Sequence, residues 1–79
     1  MMYDPFTMVD MYIKGKSTEE AKLVIQRWRD KIEELKRIIA HPDYEKMEKM
    51  CPTEHTRIRM INEYIFWAEA ELEERGEKK

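Results

Sequence analysis

The sequence predicts an all-α domain. It reads as a small helical bundle in the order short N-terminal helix, long helix, short helix, long C-terminal helix, completed by homo-oligomerisation. Three observations carry this. First, residues 17–40 place Ala21, Ile25, Trp28, Ile32, Leu35 and Ile39 at steps of 4, 3, 4, 3 and 4. That is one face of an α-helix, and Val24 and Ile38 widen it. Second, Ile58, Ile61, Ile65, Ala68 and Leu72 repeat the pattern at steps of 3, 4, 3 and 4. Third, glycines are few, Glu and Lys are frequent and β-branched runs are scarce, which favours helix over sheet or disorder.

The elements follow in order. Asp4-Pro5 opens a first helix over 5–14, with Asp as cap and Pro in the first turn, where no amide donor is needed. Phe6, Val9, Tyr12 and Ile13 share a face, Met8 and Met11 flank it, and Asp10 precedes Lys14 in the favourable order for a helical ion pair. Gly15 suits a left-handed stop. Ser17 with Glu20 forms a capping box for the long helix, and Pro42 ends it by disfavouring helical geometry at His41. At about 1.5 Å per residue the long helix is a rod of roughly 35 Å. A short third helix is expected over 42–51, with Tyr44, Met47 and Met50 inward. Thr53 caps the last helix, which runs to Arg75, and Gly76 begins a charged tail. Pro52 either breaks the chain or kinks one longer helix.

The last helix also carries Met60, Tyr64 and Trp67 as a second stripe beside the first. A helix apolar over two faces must be covered on two sides. The first helix, about 15 Å long, covers less than half of the seam between two long rods. A second copy is expected to supply the rest, with Trp28, Met60, Tyr64 and Trp67 at the interface. The alternative is a monomeric bundle with the 42–51 helix folded over the seam.

Composition narrows the function classes. Seventy-nine residues form one domain, 1–79, with a modest core and one cysteine. The lone Cys51 fits a reducing setting, and no run approaches the ~20 apolar residues of a membrane span. With no basic-then-apolar leader pattern either, the chain is expected to be soluble and cytoplasmic, in the host cytoplasm if viral. Fifteen Lys and Arg against seventeen Asp and Glu leave no basic excess for duplex nucleic acid. Any anion site must be local.

The strongest local cluster is 14–18, Lys-Gly-Lys-Ser-Thr. A helix start offers free amides and partial positive charge, and glycine admits an anion to the backbone. Lys14, Lys16, Ser17 and Lys22 supply the cluster, with Tyr12 placed to stack on a base and Arg57 as a further cation. The same residues also suit an ordinary helical corner with solvated lysines. Gly15-Lys16-Ser17 matches the end of a P-loop, but Asp10 stands where its first glycine belongs and no strand precedes it. Arg27, Arg29, Arg57 and Arg59 suit either an anion pocket or surface pairing with Glu. Cys51, His55 and His41 fall short of the usual four zinc ligands, so no metal or other cofactor is expected. No catalytic constellation stands out. The crowd of Glu69, Glu71, Glu73 and Glu74 at a helix C-terminus is a solvated face or a site for a basic partner.

In size and architecture, with a short helix before longer ones and Tyr12, Lys14 and Lys16 at the first junction, the chain resembles the phage-encoded nucleotide sponges that blunt CBASS-type defence. The resemblance implies a non-enzymatic oligomer that sequesters a cyclic nucleotide without turnover. The alternative class is a protein–protein module, a small inhibitor, adaptor or regulator presenting its surplus Met, Trp and Tyr face. A third, enzymatic class arises because residues 26–39, with Arg27 and Arg29, resemble the first long helix of the helical chorismate mutases.

Overall fold

The computed structural model describes residues 4–48 and 53–77. Three α-helices lie among the described residues: α1 (Pro5–Val9), α2 (Thr18–Ala40) and α3 (Glu54–Glu77). No strand occurs among the described residues. The all-α class is therefore as expected.

Asp4 starts α1 as anticipated, its carboxylate accepting from the Thr7 amide at 2.8 Å and the Thr7 hydroxyl at 3.2 Å. These bonds favour the charged form and hold the Asp4 pKa below its ordinary 3.8. The helix continues to Lys14 as a π-helical turn, Asp10–Lys14. Val9 and Ile13 stay buried across this wider turn. Gly15 departs from expectation: its φ is −84°, open to any residue, and not the left-handed stop.

The capping box of α2 is present in both directions. The Ser17 Oγ accepts from the Glu20 amide at 3.2 Å, and Glu20 Oε1 accepts from the Ser17 amide at 3.4 Å. At the other end His41 adopts extended backbone with ψ 135°, as the following proline requires. Beyond it, the described part of the expected 42–51 helix, residues 42–48, holds a single 3-10 turn, Tyr44–Lys46, and Met47 is already extended. Tyr44 is buried, its hydroxyl donating to Glu54 at the start of α3 at 2.9 Å, while Met47 is exposed. Burial pushes the Tyr44 phenol pKa up, and the Glu54 carboxylate adds to the effect. Met50, Cys51 and Pro52 lie outside the described residues.

Thr53 caps α3, its hydroxyl accepting from the Thr56 amide at 3.4 Å. The helix runs through Gly76 to Glu77, two residues beyond the expected end. It lies antiparallel to α2: Arg29 pairs with Glu69 midway, and Arg75 reaches Thr18 at one end. The core is one cluster between the helices, with Val9 and Ile13 from the first segment, Ala21, Ile25, Ile32 and Leu35 from α2, and Ile61, Tyr64, Ile65 and Ala68 from α3.

Tyr64 corrects the expected interface set. It is 1 % exposed inside a single chain, its ring 5.7 Å from that of Trp28. Met60 and Trp28 are likewise partly buried against the same core. The first helical segment packs on α3, and its Val9 and Ile13 join the same core as Tyr64.

Candidate functional site

The corner between Ile13 and Thr18 is tied down from α3. One nitrogen of the Arg75 guanidinium donates to the Ile13 and Lys14 carbonyls at 3.1 and 3.3 Å. Another approaches Thr18 Oγ1 at 3.5 Å, and Nε pairs with Glu71 at 3.4 Å. The carbonyls that end the π-turn thus meet a cation, as helix C-termini favour. Arg75 lies seven and eleven residues beyond Ala68 and Tyr64, so it shares their inward face. That spacing was the available signal for its role.

The expected anion-site residues are distributed around this corner unevenly. Lys14 is ion-paired with Asp10 at 3.2 Å, and that bond raises its pKa above the usual lysine value. Ser17 is occupied with Glu20 on both its amide and hydroxyl, so an acidic side chain already sits at the start of α2. Lys16 is exposed and forms no ion pair among the described residues. Tyr12 sets its ring edge-on to Trp28 at 6.5 Å, with much of its surface still open. Lys22 lines a different surface, a groove along the α2–α3 seam with Ile25, Arg29, Glu69 and Leu72. Arg57 stands near the start of α3, about 27 Å along the helix from Arg75 at 1.5 Å per residue. Antiparallel packing therefore removes Arg57 from the cluster.

The other sequence candidates are engaged locally. Arg29 pairs with Glu69, and His41 Nδ1 accepts from the Asp43 amide at 3.0 Å. The His55 ring stands edge-on to Tyr44 at 6.0 Å. Among the described residues no group of three His, Cys, Asp or Glu side chains is arranged to hold a metal ion. No helix among them is long and apolar enough to cross a membrane.

A second surface is built where α1 crosses α3. Phe6, positioned by the Asp4 cap, lays its ring 4.9 Å from Trp67 at a tilt of 48°. Phe66 stands perpendicular to Trp67 at 5.2 Å. The rings are exposed by 60, 38 and 62 % for Phe6, Trp67 and Phe66. Beside them a groove runs along Val9 and Ala70, with Asp10, Lys14, Glu71 and Glu74 on its walls.

Trp67 was an expected interface residue and is the member of that set with the most open surface. Phe6, expected to share a face with Val9 and Ile13, is exposed while those two are buried. Phe66 belongs to neither apolar stripe of α3, since at 100° per residue it turns away from both Ile65 and Trp67. A large apolar residue off-stripe was the legible signal for this patch. Compared with known proteins, the chain matches no family model, no curated protein and no solved structure.

Proposed function

We propose that this protein acts by binding, as a non-catalytic protein–protein interaction module, and that the Phe6–Trp67–Phe66 surface is its docking face. The observation that carries this is the mutual contact of these rings on the outside of the fold. Single exposed apolar side chains are ordinary, whereas a contiguous aromatic cluster rimmed by charges resembles the anchor of an interface. Aromatic rings supply large contact area at low entropic cost, and the charged rim sets orientation.

A photo-crosslinking side chain placed at Phe66 tests it, with the same group at exposed Glu33 of α2 as control. A discrete adduct from position 66 and none from position 33 is the expected result. Equal, diffuse labelling from both positions would contradict a docking role.

A second reading is an anionic-nucleotide site at Tyr12, Lys14 and Lys16, as the nucleotide sponges suggest. It is supported by Lys16, exposed and without an ion pair among the described residues, and by the open surface of Tyr12 four residues before it. It ranks second because Asp10 and Glu20 already occupy Lys14 and Ser17. Thermal shift against cyclic di- and trinucleotides decides it. A ligand at 100 times its dissociation constant adds about 2.7 kcal/mol, and Lys16→Ala should remove that gain. The absence of any shift would leave only the docking role.

A further inference from the structure

The outer face of α3 carries Arg59, Phe66 and Glu73 in one line, all of them exposed. Arg59 and Glu73 each lie seven residues from Phe66, one before it and one after. At 100° per residue that spacing leaves both within about 20° of the Phe66 direction, and about 10 Å from it along the axis. Neither Arg59 nor Glu73 forms an ion pair among the described residues. The stripe therefore has an aromatic centre, a cation toward its N-terminal end and an anion toward its C-terminal end, and the two charges have no ion-pair partner among the described residues.

The geometry points to a second copy of this chain as the occupant of the docking face, with the two α3 helices antiparallel across Phe66. A two-fold axis at Phe66 sets each residue before it in one copy opposite the residue equally far after it in the other. Arg59 of one copy then meets Glu73 of the other, and the pair occurs twice. The opposite, parallel arrangement would set Arg59 against Arg59 and Glu73 against Glu73. Charge thus selects the antiparallel pairing, as it selects orientation in helix pairs generally. Phe66 packs on its symmetry mate, and Trp67 and Phe6 form the flanking wall on one side. This pairing rests on the interaction role proposed above and names its partner.

Sedimentation of the full chain over micromolar to several hundred micromolar tests it. Wild type is expected to shift from monomer to dimer, and Phe66→Asp to remain monomeric with its helical circular dichroism intact. Arg59→Glu alone and Glu73→Arg alone each place like charges at both contacts and should weaken dimerisation roughly tenfold. An equimolar mixture of these two single variants should form a heterodimer, because their charges are again complementary at both contacts. The double variant Arg59→Glu/Glu73→Arg should recover wild-type self-association.

A dimer whose strength ignores both charge reversals would overturn the antiparallel register. A wild-type chain that stays monomeric throughout would overturn self-pairing altogether. In that event a discrete adduct from position 66 to a different protein would leave the interaction role standing, so the two failures are separable.

Discussion

At the scale of single residues, Arg75 joins two ends of the chain through several polar contacts. It ties α3 to carbonyls at Ile13 and Lys14, contacts separated by about sixty positions in sequence. Arg75→Ala should cost about 1–3 kcal/mol, the usual penalty for stranding partly buried polar groups, read from urea unfolding. Arg75→Lys should fail to restore it, since one ammonium cannot serve the carbonyls, Thr18 and Glu71 together. Gly15 is the opposite case. Its backbone is ordinary and the space around its Cα is open, so Gly15→Ala should be neutral or stabilise by up to about 1 kcal/mol in the same measurement. Loss of stability there would mean that the corner needs a glycine after all.

Asp4 makes a prediction about pH. Its folded pKa lies below the ordinary value, so its contribution is present above pH 3.8 and is lost as pH falls below it. Asp4→Asn keeps a capping oxygen but does not titrate. The melting-temperature advantage of wild type over Asp4→Asn should shrink below pH 3.8, and a pH-independent difference would refute the cap's role. The sequence disclosed local pairings of this kind. Asp4, Ser17 with Glu20, Thr53, and Asp10 with Lys14 all act within one helical turn, where spacing alone identifies partners. Arg75 acts across the fold, and only its position on the inward face hinted at that.

At the scale of elements, the two long helices were legible because each carries a sustained apolar stripe and a strong start signal. The first helix was legible in extent but not in form, since nothing in its composition announces the π-helical turn. Over its described residues, 42–48, the expected 42–51 helix is a single turn for a physical reason. Its apolar residues are few, and Tyr44 finds its hydrogen bond on Glu54 after a single turn, so no longer helix is needed to place it. Buried and exposed faces should differ sharply in cost. Leu35→Ala, at a site 1 % exposed in α2, should lose about 2–5 kcal/mol, whereas Phe66→Ala in the isolated chain should stay within about 0.5 kcal/mol. Urea unfolding at low micromolar concentration reads both, and comparable losses would show that Phe66 is part of the core.

At the scale of the whole molecule, the question is how much apolar surface one chain can hide. The protein measures 52 × 21 × 15 Å, a shape with little interior. The sequence implied more apolar surface than one chain covers and assigned it to Trp28, Met60, Tyr64 and Trp67, of which Trp67 keeps the most open surface. A single chain absorbs Tyr64 completely and Trp28 and Met60 in part, because the first helical segment lies over α3. What remains is displaced outward, onto Phe6, Phe66 and Trp67. The corner that looked best for an anion is largely satisfied by its own Glu20, Asp10 and Arg75, which only the three-dimensional arrangement reveals.

The most direct measurement uses Trp67 itself. In a Trp28→Phe variant it is the sole tryptophan, and it sits between Phe6 and Phe66 on the proposed docking face. Acrylamide should quench its fluorescence readily in dilute solution and progressively less as concentration rises, in step with sedimentation. Quenching that stays unchanged from micromolar to several hundred micromolar would contradict burial of this face between copies.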